Sequence, residues 1–185
     1  MEGEIAAETI LKDLKQKEEG QQSEGQASKE QLEKLAQAVD QEYESCFAEK
    51  KSFFGTEQIE EAMQKVMDQY AGGIGTHYQF NEKQLAMAEE KIKKLQILAK
   101  GLAAADMNEL MFIYELKERL TVCLTVIAHL RARKETRWHS FAENLDYPEK
   151  SDAWLCYVNS KKNGDQITMI RRDLVKGGET YEHRD

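Results

Sequence analysis

The chain has 185 residues, 41% of them hydrophobic and 32% charged, with a net charge of −8 and a mean hydropathy of −0.71. That length suits one domain, or one domain with a loose appendage, and its single proline and 11 glycines suit long helices. The acidic balance excludes a general nucleic-acid binder, which needs a basic face to displace counterions, and no apolar run is long enough to span a bilayer.

Met1-Glu2-Gly3-Glu4 is acidic, unlike a secretory signal or a basic transit peptide. Residues 4–18 then repeat Ile5, Ile10, Leu11 and Leu14 at helical spacing. Lys15 to Lys29 lose every large apolar side chain and read as a linker. Ser28 with Gln31 forms a capping box, and the helix behind it carries Leu32, Leu35, Val39, Tyr43 and Cys46 on one stripe, ending near Lys51. Ser52-Phe53-Phe54-Gly55 breaks the pattern. Thr56 is the expected cap of a second helix with Ile59, Met63, Val66, Met67 and Tyr70.

Gly72-Gly73-Ile74-Gly75 stops that helix. A phosphate loop would lie between strand and helix with a lysine behind it; this one follows a helix and lacks the lysine, so it reads as a tight connection. Asn81 with Gln84 caps a third helix, whose buried face is Leu85, Ala88, Ile92, Leu95 and Ala99 and whose terminator is Gly101. Asp106 with Glu109 caps the longest helix, with Leu110, Ile113, Leu120, Leu124 and Ile127 on one stripe. Residues 120–130 are apolar on nearly every side, which predicts a rod buried all round at the centre of the bundle. Arg131, Arg133 and Lys134 place positive charge at its C-terminus, where the macrodipole favours it.

The period then changes. Trp154, Cys156 and Val158 alternate with Leu155, Tyr157 and Asn159, and Ile167-Thr168-Met169-Ile170 follows across Asn163-Gly164, a strong hairpin signal. Two strands alone are marginal, so the hairpin should dock on the bundle. Gly177 to Asp185 read as a polar end.

Few residues suggest chemistry. Cys46, Cys123 and Cys156 are far apart with no Cys-x-x-Cys pair, which fits small buried thiols in a reducing cytosol and not an iron–sulfur or zinc site. His129 and His139 show no convergent partners and read as structural. Arg137, near Glu135, Asp146 and Glu149, either binds an anion or ties the helix end to the turn, and we favour the tie. Pro148 presets a turn and restrains Tyr147.

Between Arg133 and Ser160 lie both tryptophans and the only proline. Here Glu135-Thr136-Arg137-Trp138, Asp146-Tyr147-Pro148-Glu149, Asp152 and Trp154 resemble the end of the fumarate reductase/succinate dehydrogenase flavoprotein family, with adenylylsulfate reductase alpha subunits the nearest branch. The likeness extends over roughly residues 57–175, through Met63 to Gly73, Asn81-Glu82-Lys83, Ala105 to Leu110 and Trp154 to Ser160. His139 to Asn144 replaces a more aromatic, arginine-bearing stretch, which leaves a fumarate reductase-like paralogue open beside a true adenylylsulfate reductase. Glu2 to Ala7 is similar to the last helix of the family's FAD-binding domain.

The resemblance implies the C-terminal helical domain of an FAD-dependent oxidoreductase, without the Gly-x-Gly-x-x-Gly turn or the substrate-binding capping domain. No catalytic, cofactor-binding or metal residue is then expected, and FAD belongs to the parent. Whether such a chain counts as an enzyme stays open. The expected fold is mainly α: an antiparallel three- to four-helix bundle over 28–137, after a helix and linker over 1–27, with the turn, β-hairpin and polar tail over 138–185. Glu135, Arg137, Trp138, Asp146, Tyr147, Pro148 and Trp154 are the expected turn and interface residues. The expected partner is a flavin-domain polypeptide or electron-transfer subunit, or a second copy, in the cytoplasm, with no nucleic acid. An independent helical scaffold derived from that domain is the alternative.

Overall fold

The computed structural model describes residues 29–47, 53–164 and 166–174. The helix expected over 4–18, the linker, the Ser28 cap and the polar end lie outside the described residues. The chain divides into two units, residues 1–44 and 45–185. In the first runs most of helix α1 (Lys29–Cys46), whose stripe of Leu32, Leu35, Val39 and Tyr43 is exposed. The helix ends at Cys46, short of Lys51.

The second unit holds α2 (Thr56–Tyr70), α3 (Glu82–Ala99) and α4 (Met107–Ala132). Their apolar stripes meet in one core: Ile59, Met63 and Val66 of α2, Leu85, Ala88 and Ile92 of α3, and Leu110, Ile113, Leu116, Leu120 and Ile127 of α4. Ala88 and Ile113 are wholly buried; the small side chain at 88 lets neighbouring helices approach closely. Each large aliphatic in this set contributes about 1.5–3 kcal/mol through removal from water. Ion pairs fix the directions. Arg131 at the end of α4 reaches Glu82 at the start of α3 and Glu89 two turns further on, so these two helices are antiparallel. Arg119 in mid-α4 reaches Glu60 near the start of α2.

Helix ends follow local chemistry. Asn81 Oδ1 accepts from Gln84 N at 2.8 Å, and Asp106 Oδ1 accepts from Asn108 N and Glu109 N at 2.9 Å each. Thr56 is not the cap of α2. Gly55 is, and Gln58 Oε1 reaches back to accept its N–H at 2.9 Å. After α2, Gly72 takes φ +76, and Gly73 packs so closely that a Cβ there would lie 2.3 Å from Asp68 Cα. The chain continues through His77 and Tyr78, both left-handed at φ 53 and 63, into strand β1 (Gln79–Phe80).

β1 pairs in parallel with β2 (Glu143–Asn144), Gln79 opposite Glu143 and Phe80 opposite Asn144. The α2–α3 connection is thereby stitched to the segment after α4. The second sheet is the hairpin, β3 (Cys156–Asn163) antiparallel to β4 (Gln166–Asp173), with Asn163 opposite Gln166. Gly164 turns at φ +60, and both strands rest against α4.

A further expectation fails. Residues 120–130 are not buried all round: Val122 is 59% and Val126 40% exposed. Within this unit, α2, α3 and the hairpin leave the outer side of α4 uncovered.

Candidate functional site

The densest polar cluster follows α4. Arg133 leaves the helix with extended backbone, φ −85 and ψ 105. From there the Arg133 and Arg137 guanidiniums converge on the Glu135 carboxylate. The Glu135 side chain is fully buried. Its Oε1 accepts from Arg133 Nη1 at 2.5 Å and Arg137 Nε at 2.7 Å; its Oε2 accepts from Arg137 Nη2 at 3.1 Å and Ser151 N at 3.0 Å. Burial alone would push this carboxyl up. The hydrogen bonds from Arg137, Ser151 and Arg133 overcome burial and hold it at about 2, below its ordinary 4.5.

The guanidiniums go on to bind backbone. Arg133 donates to the Trp154 and Cys156 carbonyls at 3.1 and 3.2 Å, and Arg137 to the Ser151 carbonyl at 3.3 Å. The clamp thus joins the end of α4 to the start of the hairpin. Beside it, the buried Thr136 hydroxyl accepts from Asn144 N and donates to the Tyr147 carbonyl, both at 2.9 Å. Asn144 Oδ1 accepts from Asp146 N at 3.1 Å. Asp146 Oδ2 in turn accepts from Glu82 N at 2.7 Å, so α3 is capped from a distant loop as well as by Asn81.

Each residue singled out in the sequence has a place. Glu135 is the hub. Arg137 binds Glu135, and the Asp146 carboxylate serves α3 instead. Tyr147 supplies a carbonyl to Thr136, and Lys134 Nζ sits 5.8 Å from its ring centroid. Pro148 is exposed in the turn, between the Tyr147 and Glu149 carbonyls that accept from Thr136. Trp154 is half-buried beneath the Arg171 guanidinium, 4.3 Å from the ring centroid. Trp138 is 68% exposed; its backbone bridges to Ala142.

Arg133, Thr136, Asn144 and Ser151 were not singled out for this cluster. Helix-dipole reasoning accounts for Arg133 at the end of α4; its nearness to Glu135 in sequence is the signal for its part in the clamp.

His129 is half-buried beside a cleft of about 240 Å³ that Arg133, Glu135, Arg137 and Trp138 also line. His139 is exposed, its Nδ1 3.3 Å from Glu143 Oε1. Among the described residues no group of three or more His, Cys, Asp or Glu side chains can hold a metal, and no helix is long and apolar enough to cross a membrane. A larger cleft of about 710 Å³ between the start of α3, the end of α4 and the turn is lined by Glu82, Arg131, Lys134, Asp146 and Tyr147. Arg131 is already held there by Glu82 and Glu89. The Glu135 carboxylate is too acidic for a general base near neutral pH, and burial raises the Cys123 thiol, which opposes nucleophilic use.

Comparison with known proteins gives a consistent picture. Residues 60–179 match the family described as fumarate reductase flavoprotein C-term. The alpha subunit of adenylylsulfate reductase from Megalodesulfovibrio gigas is 33% identical over 98 residues, 52% of this chain and 15% of that protein. The structure of adenylylsulfate reductase from Archaeoglobus fulgidus superposes with a TM-score of 0.69 at 32% identity, covering 82% of this chain and 25% of that one. Quinol fumarate reductase from E. coli shares the fold, with a TM-score of 0.68 at 19% identity over 85% of this chain and 27% of that one. The chain therefore spans about a quarter or less of the relatives it matches.

Proposed function

Because this chain belongs to the fumarate reductase flavoprotein C-terminal family, we propose that it braces an FAD-dependent reductase of the fumarate/adenylylsulfate type without performing its chemistry. In such enzymes the flavin supplies the transfer of hydride or electron pairs. The carrying observation is where the motif side chains spend their bonds. Glu135 accepts from Arg133, Arg137 and Ser151, Arg137 binds Glu135 and the Ser151 carbonyl, and Asp146 binds the start of α3, so these side chains are engaged with one another and with backbone.

The described residues do not fit a flavin. Its pyrophosphate needs a glycine-rich strand-to-helix turn at a helix N-terminus. The glycine-rich segment here follows a helix, and the α3 N-terminus is occupied by the Asp146 carboxylate. The larger cleft sets Glu82 and Asp146 beside Arg131 and Lys134, so it offers no excess of positive charge to a dianion. FAD binding then falls to another part of the enzyme, and the partner is a flavin-domain polypeptide or an electron-transfer subunit. An independent scaffold would be expected to cover its large apolar side chains. The exposed Met107, Met111, Val122 and Val126 of α4 favour part of a larger assembly.

The test is equilibrium dialysis of the full purified chain against FAD, followed by visible spectra and assays with fumarate and adenylylsulfate. The expected result is no retained flavin band and no reduction of either compound. Stoichiometric retained flavin with turnover of either substrate refutes the proposal.

A further inference from the structure

At the tip of the hairpin Lys161, Lys162, Asn163 and Gly164 are all exposed. The last pair of the ladder is Asn163 with Gln166, so Gly164 stands outside it. Gly164 turns at φ +60, and a Cβ built on it would meet nothing within 4 Å. Asn163 alone among the asparagines precedes a glycine; Asn81, Asn108, Asn144 and Asn159 precede Glu82, Glu109, Leu145 and Ser160. A residue without Cβ leaves its backbone nitrogen open to the side chain before it and bends freely toward it. Two strands alone are marginal, so opening at such a tip costs little.

We propose that Asn163 is a site of spontaneous backbone modification, in which the Gly164 backbone nitrogen attacks Asn163 Cγ and closes a five-membered succinimide. The new bond joins that nitrogen to Cγ. The bond from Cγ to Nδ2 breaks, and ammonia leaves with the proton that Gly164 gives up. Water then adds to one of the two ring carbonyls and opens the ring. One opening yields an aspartyl residue at 163; the other yields an isoaspartyl residue, whose chain runs on through the former side chain. Nothing is oxidised or reduced, and water is the only co-reactant.

The isoaspartyl form adds a methylene to the backbone and a negative charge where a neutral amide stood. The connection between Asn163 and Gln166 sets the register of β3 on β4. Half-buried Ile167 and Met169 follow directly and line clefts shared with α4. The modification therefore loosens the hairpin on the bundle. This reading goes beyond the flavoprotein one and depends only on the hairpin.

Peptide mapping by mass spectrometry tests it, on the full chain held in mildly alkaline buffer. Amide-to-acid conversion at Asn163 should run about tenfold or more faster than at exposed Asn159, a barrier difference of about 1.4 kcal/mol. Isoaspartate should accumulate beside aspartate, as ring opening requires. Gly164→Ala should slow the conversion and leave Asn163 in place. Hydrogen exchange across β3 and β4 should quicken in the aged chain, and less so in Asn163→Asp, which has the charge without the longer backbone. Conversion of the urea-unfolded chain but not of the folded one overturns the proposal. So do equal rates at Asn163 and Asn159, or aspartate without isoaspartate.

Discussion

Replacing Glu135 by glutamine keeps the side-chain shape and removes the charge that two arginines share. A carboxyl held at about 2 against an ordinary 4.5 corresponds to about 3 kcal/mol of stability. Arg133 and Arg137 are 33% and 25% exposed, so solvent screens part of this, and a loss of about 2–3 kcal/mol is expected. The folded value lies below the unfolded one. The contribution is therefore complete above the ordinary value of 4.5 and fades as pH falls toward about 2. Trp138 and Trp154 both lie within the segment that the clamp organises, so urea unfolding followed by tryptophan fluorescence is a direct assay. With a urea slope of about 1–3 kcal/mol per molar, Glu135→Gln should lower the midpoint by about 1–2 M near neutral pH. The gap to wild type should narrow as pH drops to about 3. Equal stability near neutral pH, or a gap that does not change with pH, would refute the clamp as the source of stability.

Asp146→Ala should remove one of the two caps of α3, costing about 1 kcal/mol, read as a lower midpoint in circular dichroism at the helix band. His77→Gly should relieve a left-handed backbone that costs a side-chain-bearing residue about 1 kcal/mol; a melting temperature raised or unchanged is expected, against a drop for Thr76→Gly, whose side chain bonds the Gly73 carbonyl at 3.0 Å. Gly73→Ala would press a methyl group onto Asp68 backbone at 2.3 Å and should cost about 1–3 kcal/mol or prevent folding. Gly164→Ala, with nothing within 4 Å of the new atom, should lose only the conformational part, about 1 kcal/mol, in the same melting assay.

Much of the bundle was legible because helix signals are local. Asn81 and Asp106 cap where a polar side chain precedes an apolar periodic run, and the stripes of α2, α3 and α4 supply the core. Thr56 misled because the capping interaction at that end comes from Gln58 reaching back to a glycine, which has no side chain to announce it. The hairpin was legible from its alternation and from Asn163-Gly164. The parallel pair β1–β2 was not, since two residues carry no period and their partners lie 64 positions apart. The turn could be recognised by resemblance, yet its wiring could not be read. Sequence proximity puts Arg137 near Glu135, Asp146 and Glu149, and does not say that the buried Glu135 takes it while Asp146 binds the start of α3. The outer face of α4 shows the limit of composition: an apolar segment signals that something covers it, and does not say whether that cover is in the same chain.

The bond from Glu82 N to the Asp146 carboxylate bears on modularity. A designer who excised residues 56–132 as a three-helix cassette would take α3 without one of its caps and α2–α3 without the strand that pins their joint. The tail after α4 is thus a keystone, and a graft of the helices alone should arrive loosened at the end where α3 begins.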